Sequence, residues 1–321
     1  MEEKTSGSLY GGSLIVPSVQ ELAKKPITAI PPRYIQPHHP EQQDHVMFNP
    51  DHDHAEMPFI DMQKLLSQES TDSESELARL HFACKEWGFF QLVNHGVSSS
   101  LVDKVKTESQ DFFNLAMEDK KKLWQTPGDV EGFGQAFVVS EDQKLDWADI
   151  FFMTTLPVEM RRPHLFPNVP SPFRETLEVY SLELKNLAMT ILSQMETALQ
   201  MEAKEVTKLF EDGMQSMRMN YYPPCPLPAE VIGLTPHSDS IQTNGIYRSI
   251  EHRATVNSAK ERLSIATFHN PALDGEIGPA SSLVTEQTPA VYKRVGVQDY
   301  LKALFERKLQ AKSFLDELRI K

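Results

Sequence analysis

The 321-residue sequence is short of the features that mark several protein classes. It has two cysteines, Cys84 and Cys225, too few for a disulfide framework and without paired zinc spacing, which suits a reducing cytosol. Glycine (14) is scarcer than proline (22) and no internal repeat is visible, so collagenous and low-complexity classes are excluded. No run approaches the ~20 apolar residues of a membrane span. The first 30 residues carry only a short apolar patch, Leu14 to Val16, where an export signal would need a longer apolar core. The chain therefore reads as soluble, unexported and cytoplasmic. Positive charge is also scarce: Lys and Arg total 32 against 45 Asp and Glu, a formal charge of -13. Such a surface repels phosphate backbones and anionic lipid, which argues against nucleic-acid and membrane partners. What remains, 40% apolar and 24% charged residues, is the composition of an ordinary globular protein long enough to bury a real core.

Residues 1–57 lack a sustained period and read as an arm. Its five histidines, His38, His39, His45, His52 and His54, read as solvated polar filler, and Ser18 to Lys25 makes one or two helical turns only if it docks on the body. Phe59-Ile60 reads as a short strand. Ser73 with Glu76 gives a capping box ahead of Leu77, Leu80, Cys84 and Trp87, an amphipathic helix ending at Gly88. Phe89 to Val93 follows as a strand closed by the turn Asn94-His95-Gly96, where His95 reads as a packed turn residue. A second helix carries Leu101, Val105, Phe112 and Leu115, and the basic run Lys120 to Lys122 beyond it reads as a wet face.

Gly132-Phe133-Gly134 lacks the third glycine of a phosphate loop and is expected to be a turn or bulge. Ser171-Pro172 opens the longest helix, with Phe173, Leu177, Tyr180, Leu184, Leu187, Ile191, Met195 and Leu199 on one stripe. After Gly213 the period changes to two, and Met217, Met219 and Tyr221 alternate with Arg218, Asn220 and Tyr222. Short β segments are expected at Val231 to Leu234, Tyr247 to Val256 and Leu263 to Phe268. A last helix carries Leu301, Leu304, Phe305 and Leu309.

The residues that bear chemistry cluster in this C-terminal half. His237 and Asp239, spaced i, i+2 on a strand, point to one face and form a chelating pair. With His252 they make two imidazoles and one carboxylate, the facial triad that leaves adjacent positions open on a non-heme Fe(II). The same three ligands would also serve zinc. Arg262 and Ser264 again share a strand face and form a donor pair for a carboxylate. Asn220 and Tyr222 share a face on the earlier strand and could hydrogen-bond the same acid. A hydrolytic zinc site has no evident need of such an anion clamp.

Taken together, these residues resemble the plant family of Fe(II)- and 2-oxoglutarate-dependent dioxygenases over nearly the whole chain. Trp87 to Gly96 is similar to that family's N-terminal signature, and Asn220-Tyr221-Tyr222-Pro223-Pro224-Cys225 to the segment ahead of its iron motif. Asp146-Trp147-Ala148-Asp149 and Asn244-Gly245-Ile246-Tyr247-Arg248-Ser249 bring it nearest to the branch of alkaloid and phenylpropanoid O-demethylases and hydroxylases. The resemblance implies an α+β fold, a helical N-terminal half packed on a C-terminal double-stranded β-helix (jelly roll). It implies His237, Asp239 and His252 as iron ligands, with Arg262 and Ser264, helped by Tyr222 and Asn220, on the distal carboxylate of 2-oxoglutarate. Dioxygen and a small plant secondary metabolite would be the other substrates, with ascorbate as reductant. The expected segments are an arm (1–57), a mostly helical region (58–212), the jelly roll (213–295) and a C-terminal helix (296–321).

One departure stands out. Only twelve residues, Ser240 to Glu251, separate Asp239 from His252, whereas family members carry an interval several times longer, about four strands of ~5–6 residues. The jelly roll is therefore expected to be shortened. A hairpin of this length can still bring the ligands together, but the lost strands would leave open edges and uncovered apolar faces. The alternative reading is a catalytically inactive truncated isoform acting, if at all, as a binding partner.

Overall fold

The computed structural model describes residues 13–36, 56–135, 138–237, 243–247, 249–305 and 318–320. The histidines at 38, 39, 45, 52 and 54, Asp239, Arg248 and Leu309 lie outside the described residues. The helices are α1 (Val19–Ala23), α2 (Met62–Leu65), α3 (Ser70–Phe82), α4 (Ser99–Asn114), α5 (Met117–Lys120), α6 (Ser171–Ala198), α7 (Thr207–Glu211) and α8 (Val297–Phe305). The strands are β1 (Phe59–Asp61), β2 (Gln91–Val93), β3 (Gly132–Gly134), β4 (Asp149–Leu156), β5 (Met214–Tyr222), β6 (Leu234–His237), β7 (His252–Ala254), β8 (Arg262–Asn270), β9 (Glu276–Ile277) and β10 (Val295–Gly296). Seven of the eight α-helices precede β5, with β1 to β4 among them, and β5 to β10 follow before α8, helices plus antiparallel sheet being consistent with the α+β reading.

The main sheet has the order β3-β4-β5-β8, antiparallel throughout. Its helix-facing side is sealed by α4 and the first half of α6. Phe112 stacks on Phe151 at 4.4 Å and Phe113 on Tyr221 at 5.3 Å, and Phe173, Leu177, Met217 and Met219 fill the remaining space. Such ring pairs add to burial about 0.5–1.5 kcal/mol each. The second half of α6 is less covered: Leu184, Leu187, Ile191 and Met195 are only half-buried. Two smaller sheets, β6-β7 and β9-β10, and the parallel pair β1-β2 complete the framework.

The short α1 is stable because it docks. Ser18 caps it, and the buried Asp149 carboxylate accepts hydrogen bonds from Ser18 Oγ (2.6 Å), Val19 N (2.8 Å) and Gln20 N (3.0 Å), satisfying amides that a helix start leaves orphaned. Lys120 corrects the wet-face expectation. It is fully buried and donates to Gln20 Oε1 at 2.5 Å and Phe113 O at 2.9 Å, while Lys121 and Lys122 pair with Glu118 and Asp119 at the surface.

Other local expectations shift for similar tertiary reasons. α3 starts at Ser70, so Ser73 and Glu76 lie inside it; Glu76 is buried and accepts from Asp61 N at 2.7 Å, tying the helix to β1. The helix does end at Gly88, whose φ of 76° suits glycine. Gly132-Phe133-Gly134 is a buried strand paired to β4, not a turn; a Cβ on Gly132 would meet Gln125 N at 2.8 Å, so close packing explains the glycine. Val231 to Gly233, Tyr247 and Ser249 to Glu251 are not strands. Tyr247 is instead buried among Ile60, Leu80 and Cys84. Both cysteines are free and buried. Among the described residues no helix is long and apolar enough to cross a membrane.

Candidate active site

The β6-β7 hairpin places His237 directly opposite His252. The ring centroids are 4.2 Å apart, and each Nδ1 lies near the carbonyl two residues earlier: Thr235 O at 3.0 Å and Ile250 O at 3.1 Å. A carbonyl can only accept, so both Nδ1 atoms carry the proton and the lone pairs sit on Nε2. That arrangement, a ring oriented by its second nitrogen, is how proteins prepare histidine for a metal. The structure thus brings two of the three expected ligands together, with the third, Asp239, outside the described residues. Among the described residues no cluster of three potential ligands forms.

The residues expected to bind the carboxylate come from neighbouring strands of the main sheet. Asn220 pairs with Ser264 and Tyr222 with Arg262 in the β5-β8 register. Asn220 Nδ2 donates to Ser264 Oγ at 3.2 Å, and the Arg262 guanidinium carbon lies 5.2 Å from the Tyr222 ring centre. Arg262 is exposed and, with Tyr222, Asn257 and Lys260, lines an open cavity of about 340 Å³. The two groups adjoin: Gly233, one residue before β6, lies against Tyr222, and a Cβ there would come within 2.8 Å of the ring.

Three further residues surround the site. Arg218 Nε donates to Asn220 Oδ1 at 2.8 Å. Asp146 Oδ1 accepts from Thr235 Oγ1 at 2.6 Å and Thr235 N at 3.1 Å. Enclosure by the protein raises the Asp146 carboxyl above its usual range, opposed by those hydrogen bonds and by Arg218; it lowers Arg218, opposed by Asp146. Sequence reasoning assigned none of the three a role. Arg218 was within reach, because it shares the strand face of Asn220 and Tyr222, whereas Asp146 meets Thr235 across 89 residues of chain. His95 behaves as a turn residue, its Nδ1 accepting from Val97 N at 3.2 Å.

Residues 57–169 match the family described as the non-haem dioxygenase in morphine synthesis N-terminal region. The chain is 52% identical to Protein SRG1 of Arabidopsis thaliana over the full length of both. It is 48% identical to thebaine 6-O-demethylase of Papaver somniferum, over 99% of this chain and all of that one. The chain belongs to the plant Fe(II)- and 2-oxoglutarate-dependent dioxygenases. This dioxygenase also superposes on the crystal structure of JOX2 in complex with 2OG, Fe and JA, with a TM-score of 0.81 at 28% identity, over 98% of this chain and all of that one. It is an oxidoreductase whose family cofactor is Fe(II) and whose co-substrate is 2-oxoglutarate, and the paired imidazoles fit that metal. The alignment with Protein SRG1 spans 366 positions against 321 residues here, so at least 45 positions have no residue in this chain.

Proposed function

We propose that this dioxygenase hydroxylates or O-demethylates a small plant secondary metabolite of the alkaloid or phenylpropanoid type. His237, Asp239 and His252 would hold Fe(II), and Arg262, Ser264, Tyr222 and Asn220 the distal carboxylate of 2-oxoglutarate. The observation that carries this reading is the register: His237 opposite His252, and Asn220 and Tyr222 opposite Ser264 and Arg262. Bound Fe(II) and 2-oxoglutarate supply the oxidation, in which dioxygen puts one oxygen atom into a C–H bond and the other into succinate as carbon dioxide leaves; ascorbate keeps the metal reduced. The chain's own part is positional. The backbone carbonyls of Thr235 and Ile250 fix the proton on each Nδ1, and Arg262, a planar donor, matches a carboxylate. Hydroxylation of an O-methyl carbon gives a hemiacetal that collapses to a free hydroxyl and formaldehyde, consistent with the relative named for O-demethylation.

We read the chain as one catalytic unit of the four segments 1–57, 58–212, 213–295 and 296–321, with β3 and β4 from the second and β5 and β8 from the third making one sheet. We place the missing positions between Asp239 and His252. This placement is supported by the two-stranded β6-β7 sheet, by the outer edge of β8, which no described strand pairs, and by the half-buried second half of α6. A cavity of about 320 Å³ lies there, between Ile191 and Met195 of α6, His269 at the end of β8 and Tyr300 of α8. Two buried free thiols suit a cytoplasmic protein. The relatives lend no support to an inactive, binding-only form.

The test is anaerobic visible absorption of the purified chain titrated with Fe(II) and 2-oxoglutarate, since chelation of the 2-oxo acid at the metal gives a charge-transfer band. A saturable band that disappears in His252→Ala supports the assignment. A folded chain that gives no band refutes it and returns the inactive form to consideration.

A further inference from the structure

Asp146 and Arg218 are not among the expected site residues, yet Asp146 holds Thr235, which bonds His237, and Arg218 bonds Asn220 directly. On one side, both donors of Thr235 converge on a single oxygen of Asp146, at 2.6 and 3.1 Å, while the carbonyl of the same Thr235 receives the Nδ1 proton of His237 at 3.0 Å. Asp146 therefore pins a residue whose carbonyl sets the tautomer and tilt of His237. On the other side the hydrogen bonds run in one direction. Arg218 Nε donates to Asn220 Oδ1 at 2.8 Å, and Asn220 Nδ2 donates to Ser264 Oγ at 3.2 Å.

An amide side chain can present either its oxygen or its nitrogen to a neighbour, and a guanidinium, having no acceptor, settles the choice. With Asn220 donating to it, Ser264 has its own O–H left to give, and the acceptor that hydroxyl suits is a carboxylate. Charge joins the two sides, since Asp146 and Arg218 each favour the ionised form of the other.

We propose that Asp146 and Arg218 are positioning residues of this site. Asp146 orients His237 through Thr235 for the metal, and Arg218 polarises Asn220 and Ser264 toward the carboxylate of 2-oxoglutarate. The assignment rests on the site residues proposed above and adds two that touch neither metal nor co-substrate. It divides the labour: Asp146 governs metal affinity and Arg218 governs co-substrate affinity.

The experiment measures both affinities on the full chain, by anaerobic titration of Fe(II) and, at saturating Fe(II), of 2-oxoglutarate through the charge-transfer band, with thermal melting alongside. Asp146→Ala is expected to weaken Fe(II) about 10- to 100-fold, as loss of an outer partner does at other metal sites, and to leave 2-oxoglutarate within about threefold. Asp146→Asn keeps an oxygen acceptor for Thr235 and is expected to recover most of the Fe(II) affinity. Arg218→Met keeps the length and removes the donors; it is expected to weaken 2-oxoglutarate about tenfold, the worth of one charge-assisted hydrogen bond, with Fe(II) binding retained. Lower melting with both affinities intact, or equal loss of both affinities in both variants, overturns the proposal. A wild-type chain without the band overturns the underlying site reading and this assignment with it, whereas a wild-type band that neither variant moves overturns this assignment alone.

Discussion

β5 and β8 are neighbours of equal length, nine residues each, and they pair residue for residue from Met214 opposite Asn270 to Tyr222 opposite Arg262. β5 is buried at eight of its nine positions and β8 at none. The ladder between them is shared, so it cannot account for the difference. What differs is the far side: β4 covers the other edge of β5, and no described strand covers the other edge of β8. Burial in a sheet is conferred by the layers around a strand. The candidate site draws on both kinds, with Asn220 and Tyr222 on the enclosed strand and Ser264 and Arg262 on the open one.

The largest loss of stability is expected in the core beneath β4 and β5. Phe151→Ala removes a fully buried ring stacked on Phe112 and is expected to cost about 3–5 kcal/mol in urea unfolding. A cost near that of a surface substitution would mean that the enclosed half of the sheet is not the stable half.

The next effect appears at the half-buried end of β8. Burial lowers the pKa of His269 from 6.5 to about 4, with the nearby Lys185 charge adding to it. Between those values the unfolded chain takes up a proton that the folded chain refuses, so stability is present above pH ~6.5 and declines as pH falls toward ~4, by at most about 3 kcal/mol. His269→Gln should flatten the stability profile in that window. An unchanged slope would show that His269 is open to solvent like the rest of β8.

Asp149→Ala strips α1 of its carboxylate partner. We expect about 2 kcal/mol lower stability and limited proteolysis within residues 13–36, with the main sheet, α4 and α6 resistant. The smallest effect belongs to β8 itself: Phe268→Ala, at a side chain 37% exposed, should cost under about 1 kcal/mol. A loss matching Phe151→Ala would mean that something covers β8 in solution.

Most of the candidate site was legible because strand periodicity places His237, Asn220, Tyr222, Arg262 and Ser264 on defined faces. The pairing of those faces was not, since the partners of Asn220 and Tyr222 lie some forty residues downstream and local rules carry no information about register. The same limit explains Lys120. Three consecutive lysines after a helix look alike in sequence, and only the packing of α1 singles out the first for burial. Asp146 and Thr235 form a contact between loop and strand that no period announces. The helices α4 and α6 were readable from their stripes, but how fully α6 is covered depends on strands elsewhere in the chain.

Lys120 has a chemical consequence. Burial lowers its pKa, so its amine is more readily neutral, and hence nucleophilic, than a surface lysine, yet Gln20 and the Phe113 carbonyl occupy it. An acylating reagent in water should therefore modify Lys121 and Lys122 quickly and Lys120 only as often as residues 18–23 lift away. Its labelling rate is a clock for the opening of the N-terminal segment, readable by mass spectrometry without any substrate in hand.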